Sequence, residues 1–158
     1  MFEQYEPTSD FLKAIVADEV PLGDGPFASA NLRQLIDMTR DPDTSNRDWA
    51  AMLLAGLELD TPEVRKALID AAEDVDNCVR AEAILGLARR DRSLALPLVQ
   101  RELSGDYALL PVFEAAELLA DASLVSLLEH FAGPSDDQYL HRVILSALAA
   151  CRSEQSAG

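Results

Sequence analysis

Cysteines and aromatic residues are scarce in this sequence. It has two cysteines, and aromatic side chains make up 6% of its 158 residues. Cys78 and Cys151 lie far apart and neither belongs to a CxxC pair. Isolated thiols of this kind are typical of buried apolar residues in a reducing compartment, so we expect no disulfide. With few aromatics and abundant Leu and Ala, the composition favours helices over a β-sandwich or barrel.

Positive charge is scarce as well. The chain has 13 Lys and Arg against 28 Asp and Glu, which gives a net charge of −15. Such a surface repels nucleic acid and anionic lipid, because affinity for either depends on cationic side chains. We therefore predict no nucleic-acid partner and no membrane partner. A protein partner with a basic segment is compatible with this charge.

Long apolar runs are missing. No segment reaches the roughly 18 uninterrupted apolar residues of a membrane span. The N-terminal sequence MFEQYEPTSDFLKAIV lacks the basic start and long apolar stretch of a secretory signal. We expect a cytoplasmic protein.

Motifs for catalysis and metal binding are also missing. The sequence contains no H-E-x-x-H, G-x-S-x-G, P-loop or G-x-G-x-x-G pattern. The acidic segment 41–46, DPDTSN, lacks the Gly and the distal Glu of a calcium loop, which favours a role in helix capping. His130 and His141 are the only histidines and join no ligand cluster. We predict no catalytic residue, no metal site and no cofactor.

The sequence does contain an internal repeat. The segment 41–57, DPDTSNRDWAAMLLAGL, aligns with 74–90, DVDNCVRAEAILGLARR, so that acidic, Arg and apolar positions recur. A third copy, VFEAAELLA, occupies 112–120, and a fainter fourth, LHRVILSALAA, occupies 140–150. Self-similarity at a period of about 33 residues is typical of stacked helix pairs.

A second helical pattern precedes each copy. It consists of apolar residues four positions apart, which lie on one face of a helix. The pairs are Leu32 and Ile36, Val64 and Leu68, Leu94 and Leu98, and Leu124 and Leu128. The predicted unit is therefore helix A, a short polar loop and helix B.

These units set the predicted organisation of the chain. Four repeats are expected at about 28–58, 61–90, 91–120 and 121–150. A helix and loop within residues 1–27 would cap the stack. Residues 151–158 are predicted to be a disordered tail.

The pattern D-x-D-x-x-x-R-x-x-A at 41–50 and 74–83 resembles the HEAT-repeat signature. It is most similar to the short form named after phycobilisome lyases, which small bacterial HEAT-like proteins share. The resemblance covers roughly residues 28–150. It implies an all-α, right-handed α-solenoid of about four HEAT-like helix pairs, an armadillo-like architecture.

The resemblance also implies a hydrogen-bonded ladder between repeats, made of loop aspartates and B-helix arginines. The ladder residues would be Asp41, Asp43, Arg47, Asp74, Asp76 and Arg80. Phe113 and His141 stand at the Arg position of the third and fourth copies. The ladder should therefore lapse in the C-terminal half.

In this family the B helices line a concave groove where partners bind. Along the second B helix, the spacing of Val79, Ala83 and Leu87 predicts a buried stripe. The arc beside that stripe should be more exposed, and it is apolar in several copies with charged flanks. The predicted partner-binding residues are Trp49, Met52, Glu82, Leu85, Arg89, Glu114, Leu118 and Arg142.

Two interpretations of Trp49, the only tryptophan, stay open. It is either an aromatic anchor in the groove or part of the core against the N-terminal helix. Either way, the sequence predicts a non-enzymatic protein-binding module: an adaptor, assembly factor or immunity-type scaffold protein from a bacterium. We expect a monomer or weak homodimer. The alternative that the resemblance implies is a HEAT-like lyase or chaperone-type accessory acting on a chromophore- or cofactor-bearing protein.

Overall fold

The computed structural model describes residues 5–157, with the side chains of 155–157 excepted, and every regular element in this range is helical. The helices are α1 (Asp10–Val16), α2 (Ala28–Met38), α3 (Thr44–Gly56), α4 (Pro62–Ala71), α5 (Asn77–Ala88), α6 (Arg92–Leu103), α7 (Leu110–Leu119), α8 (Val125–Glu129) and α9 (Gln138–Ala157). A 3₁₀ turn, Ala122–Leu124, leads into α8. The prediction of an all-α fold is confirmed. None of the described helices is both long and apolar enough to cross a bilayer.

Side chains cap the starts of several helices. Asp43 accepts hydrogen bonds from two backbone N–H groups at the start of α3, and Asp91 does the same for α6. Thr61 caps α4 with Pro62 in the first turn, as the Thr-Pro-Glu sequence predicts. Asp121 caps the 3₁₀ turn. Each such cap contributes about 1 kcal/mol, so the polar loops define where the helices begin.

The chain divides into two compact units, Met1–Ala83 and Ile84–Gly158, and the division falls inside α5. In the first unit, α3 packs against α1, α2 and α4. Leu35, Leu54 and Leu68 are fully buried there. Burying each such leucine contributes about 1.5–3 kcal/mol. The predicted pair Val64 and Leu68 is buried. The predicted pair Leu32 and Ile36 is only half-buried, because Leu35 takes the core position of α2.

In the second unit, α7 packs along α9 and also against α6, while α8 packs on α9. Phe113, Leu128 and Leu148 are buried in this core. The small residues Ala115 and Ala116 are fully buried on α7, which lets the neighbouring backbones approach closely.

Residues 151–157, predicted as a disordered tail, instead continue α9 to Ala157. Cys151 is fully buried, and its Sγ makes a weak hydrogen bond to the carbonyl oxygen of Ala116 at 3.7 Å. Arg152 forms an ion pair with Glu129 at 3.1 Å. These contacts attach the first two residues of that segment to α7 and α8.

The two cysteines are both free thiols, and they differ in burial. Cys151 is buried as predicted, whereas Cys78 is exposed and corrects that expectation. Cys78 lies in the first turn of α5, where its N–H donates to the capping carboxylate of Asp76 at 2.9 Å. Cys78 lies in the terminal turn of α5, beyond the apolar face that packs in the core. The apolar spacing of the helix therefore does not determine how far Cys78 is buried.

Candidate functional site

One rung of the ladder joins two repeats in the first unit. Arg47 Nε donates to Asp74 Oδ2 at 2.9 Å, and Arg47 Nη2 donates to Asp74 Oδ1 at 3.3 Å. The two side chains are 15% and 12% exposed. The hydrogen bond to Asp74 raises the pKa of Arg47 above its ordinary value. This two-point geometry combines charge with directional hydrogen bonds and fixes α3 against the α4–α5 loop.

The other ladder residues bind the loops that carry them. Asp41 Oδ1 accepts the N–H of Asp43 at 2.9 Å, and Asp74 Oδ1 accepts the N–H of Asp76 at 2.9 Å. Arg80 Nη1 donates to the carbonyl oxygen of Asp74 at 3.0 Å. The aspartates and arginines of the repeat signature therefore stabilise the loops of the first unit by hydrogen bonds.

The second unit uses different groups at the corresponding places. Phe113, which stands where the earlier repeats have Arg, is buried and packs edge-on against Phe131 with 5.3 Å between ring centroids. Arg92 at the start of α6 donates to the carbonyl oxygen of Leu119 and to Asp121 Oδ2, the latter at 2.9 Å. An aromatic pair and an arginine from an A helix thus hold these repeats.

The predicted anchor Trp49 is covered by the chain's own N-terminal segment. Tyr5 stacks on Trp49 with 5.7 Å between ring centroids and 24° between the ring planes. The Tyr5 hydroxyl donates to Asp48 Oδ2 at 2.7 Å. Trp49 is half-buried, and its indole Nε1 has no hydrogen-bond partner in the described part of the chain. Of the two interpretations, packing against the N-terminal region is closer to the structure, and the ring that stacks on Trp49 is that of Tyr5, ahead of α1.

Residues 5–9, which we call the N-terminal strap, are fixed to α3 by further hydrogen bonds. The backbone N–H groups of Thr8 and Ser9 both donate to Asn46 Oδ1 at 3.0 Å. The Thr8 hydroxyl donates to Asp43 Oδ2 at 3.3 Å. Asn46 is 6% exposed, so the strap satisfies a buried polar group.

Negative charge is concentrated around this part of α3 and α5. Burial raises the pKa of Asp48, and the nearby Asp76 adds to that rise. The pKa of Cys78 is raised by burial and then by the charges of Asp48, Asp76 and Glu82. The pKa of Tyr5 is raised by burial and by its hydrogen bond to Asp48. The Cys78 thiol therefore stays protonated at neutral pH. The surface around Asp48, Asp76 and Glu82 repels anions.

The second unit has an open face on its B helices. A cavity of about 320 Å³ is lined by Leu85, Arg89, Glu114, Glu117 and Leu118, which we call the Leu118 face. Leu118 is 56% exposed, and Ser146 Oγ of α9 donates to Glu117 Oε1 at 2.6 Å. Leu145, the residue before Ser146, is 44% exposed. Leu118 thus faces solvent beside charged groups, and Leu145 is exposed on α9, which packs along α7.

Several predicted site residues differ in burial from what the helical spacing indicated. Leu85 is 5% exposed and therefore buried, because residues 81–87 of α5 are apolar or small on nearly every side. Met52 and Glu82 are half-buried. Arg142 is exposed and lies 5.9 Å from the ring centroid of Tyr139. Val79, Ala83 and Leu87, predicted as the buried stripe, are all fully buried.

The structure brings together Leu85, Arg89, Glu114 and Leu118 from the predicted set. It places Trp49 and Met52 on α3 in the first unit. Sequence reasoning missed Tyr5, Glu117 and Leu145. The repeat alignment could have indicated Glu117 and Leu145, which neighbour aligned positions, but no pattern pointed to Tyr5. Within residues 5–157, no three or more His, Cys, Asp or Glu side chains are arranged to hold a metal ion.

Comparison with known proteins places this geometry in a family. A family model for HEAT repeats matches residues 32–120. Protein YibA of Escherichia coli (strain K12) is 29% identical over 119 residues, which cover 75% of this chain and 41% of YibA. YibA of Escherichia coli O157:H7 matches with the same identity and coverage.

The X-ray structure of YibA from Escherichia coli matches this structure with a TM-score of 0.62 and 25% sequence identity. The match covers 89% of this chain and 54% of that chain. This chain thus spans only about half the length of the relatives it matches.

Proposed function

This chain belongs to the HEAT-repeat family, with the α-solenoid fold that its repeats predicted, and we propose that it is a non-enzymatic scaffold that captures a protein on the Leu118 face. As an adaptor or assembly factor it would hold its partner without changing it chemically. HEAT repeats generally supply binding surfaces, which supports a role as a protein-interaction scaffold.

The exposure of Leu118 carries the proposal. A leucine that is 56% exposed beside a cavity, with Leu145 44% exposed on the adjacent helix, leaves apolar area unburied in the isolated chain. Full burial of a leucine contributes about 1.5–3 kcal/mol, and part of each side chain is already covered. Because the two exposed fractions together amount to one leucine, a partner covering both would gain about 1.5–3 kcal/mol from them. Micromolar affinity requires about 8 kcal/mol, so further contacts are needed.

Charge near these leucines supports a particular kind of partner. Glu114 and Glu117 line the same cavity, with Arg89 as the opposing charge. The chain as a whole carries a net charge of −15. A segment with an apolar side chain flanked by Lys or Arg fits this face, since opposite charges steer association and fix orientation.

Trp49 is not proposed as an anchor in this state of the protein. Tyr5 already stacks on its ring, and the strap is held to Asn46 by two backbone hydrogen bonds. A partner would have to displace those contacts before it reached the indole.

The test compares three forms of the protein as bait in extracts of its native cells: wild type, Leu118→Glu and Val75→Glu. Val75 is 93% exposed in the loop between α4 and α5, so Val75→Glu adds the same charge elsewhere. Circular dichroism confirms that all three are folded. We expect one protein to be retained by wild type and Val75→Glu and lost with Leu118→Glu. Equal retention by all three forms would contradict the assignment of the face, and recovery of this chain itself would make the face a homodimer contact.

A further inference from the structure

A second cavity in the C-terminal unit lies where two loops meet. It has a volume of about 330 Å³ and lies between the α6–α7 loop and the α8–α9 loop. Its lining includes Asp106, Tyr107, Phe113, His130 and Phe131, and we call it the aromatic cavity. Phe131 packs edge-on against Phe113 at 5.3 Å and against His130 at 5.2 Å between ring centroids. Three rings are therefore held in fixed positions by one another.

The charge in this cavity has one sign. With His130 counted as neutral, Asp106 carries the only full charge among the residues that line it. In the described part of the chain no side chain or backbone group pairs with the Asp106 carboxylate. Asp136 and Asp137 follow the lining residue Ser135, so the rim adds negative charge. A cation entering the cavity would meet the Asp106 carboxylate, and no Lys or Arg is among the residues that line it.

The helix ends around the cavity do not reverse this sign. The A helices α6 and α8 end just before the two loops, and the B helices α7 and α9 begin just after them. Negative partial charge at the A-helix ends and positive partial charge at the B-helix starts therefore meet here and largely offset each other. The first turn of α9 is already capped, because Asp137 Oδ1 accepts the N–H of Leu140 at 2.9 Å. The full charge of Asp106 decides which ligand the cavity favours.

We propose that the aromatic cavity binds the guanidinium group of an arginine side chain from a bound protein. The volume lies at the low end of the roughly 300–1,000 Å³ typical of ligand pockets, which suits one long side chain and not a helix. A guanidinium is planar and weakly hydrated, so it stacks on aromatic faces while it forms a forked pair with a carboxylate. Tyr107, which is 69% exposed at this cavity, supplies a ring that can close over such a guest.

This inference rests on the proposed function, because the arginine is taken to belong to the captured protein. The two sites share one helix: Phe113 of the aromatic cavity precedes Leu118 on α7 by five residues, about 8 Å along the axis and about 140° around it. A bound protein that follows the surface around α7 could place an arginine in the cavity and an apolar residue on the Leu118 face. The aromatic cavity then selects which apolar segment the Leu118 face accepts.

The test uses N-acetyl-arginine amide as the probe and N-acetyl-citrulline amide, which is uncharged and of nearly the same shape, as its control. NMR titration of the full chain follows the ring resonances of Tyr107 and Phe131. We expect the arginine probe to shift both sets of resonances and the citrulline probe to bind about two- to fivefold more weakly, since one exposed charge pair is lost. N-acetyl-lysine amide should also bind more weakly than the arginine probe, because it lacks the planar fork.

Matched variants separate the site from unspecific attraction to an acidic protein. Asp106→Asn should weaken the arginine probe about two- to fivefold and bring it level with citrulline. Asp24→Asn, at an exposed aspartate in the first unit, should leave binding unchanged. Tyr107→Leu, at an exposed loop residue whose loss spares the core, should weaken the arginine probe as well.

Three results would overturn the inference: equal binding of the arginine and citrulline probes, unchanged affinity of Asp106→Asn, or ring resonances that stay unshifted by the arginine probe. None of them depends on a captured protein. Failure here therefore leaves the comparison of Leu118→Glu with Val75→Glu standing, and failure of that comparison leaves the probe result standing.

Discussion

Removing Arg47 should destabilise the first unit far more than removing another arginine that also pairs across repeats. Arg47 and Asp74 are 15% and 12% exposed, so Arg47→Ala leaves a largely buried carboxylate without its forked partner. Breaking a fully buried pair costs about 3–5 kcal/mol. Asp74 keeps its hydrogen bond from the N–H of Asp76 at 2.9 Å and some contact with water. We therefore expect a loss of about 2–3 kcal/mol.

Arg40 provides the matched control. It pairs with Asp70 at 3.2 Å, but these side chains are 56% and 42% exposed, and Asp70 retains Lys66 at 2.9 Å. Exposed pairs contribute about 0.2–1 kcal/mol, so Arg40→Ala should cost less than about 0.5 kcal/mol. Arg47→Lys should recover less than half of the loss, because an ammonium group cannot form the fork.

Urea unfolding followed by the fluorescence of Trp49 measures this difference, since Trp49 and Arg47 share α3 in the first unit. With a denaturant slope of about 2 kcal/mol per molar urea, the midpoint of Arg47→Ala should fall by about 1–1.5 M. The slope should stay unchanged. A midpoint for Arg47→Ala within error of that for Arg40→Ala would refute the reasoning that burial makes this ion pair strong.

Three further outcomes are expected from the described contacts. Tyr5→Ala should lower the free energy of unfolding by about 1 kcal/mol, because the stacked ring is lost. It should also shift the fluorescence emission of Trp49 to longer wavelength, because water then reaches the indole. An unshifted emission spectrum would contradict the covering role of the N-terminal strap. Burial raises the pKa of Asp48, so the folded state keeps the carboxyl proton to higher pH than the unfolded state does. The free energy of unfolding therefore falls as pH rises above the unfolded pKa of about 4. Asp48→Asn should gain stability over wild type between acidic and neutral pH, as urea titrations at both pH values would show. Hydrogen bonds from Ser123, together with Arg92, lower the pKa of Asp121. The ionised Asp121 carboxylate therefore stabilises the fold above about pH 4, and this stabilisation is lost as pH falls through the folded pKa. Asp121→Asn should cost stability at pH 7 and little at pH 2, and the opposite trend would contradict the capping role of Asp121.

Local signals in the sequence predicted the helices and their starts. Thr61 and Pro62 begin α4, and the buried stripe of Val79, Ala83 and Leu87 follows from helical spacing alone. Such features depend on neighbours within a few residues, so a single sequence contains the information for them.

The exposure of side chains at the candidate site depends on residues that are distant in the sequence. It could therefore not be predicted from local sequence patterns. Trp49 is covered by Tyr5, a residue 44 positions earlier in the chain (49 − 5) with no repeat pattern around it. Cys151 is buried against Ala116, 35 residues earlier in the chain. The aromatic cavity needs two loops to meet, and the loops between repeats differ in sequence from copy to copy.

Site-specific photo-crosslinking in the native cells tests the binding function most directly. A photoreactive amino acid is placed at position 118 in one version of the protein and at position 75 in another, since both side chains are exposed and only the first lies on the Leu118 face. We expect an adduct with one defined protein from position 118 and none from position 75. The same adducts from both positions, or none from position 118, would contradict the binding face.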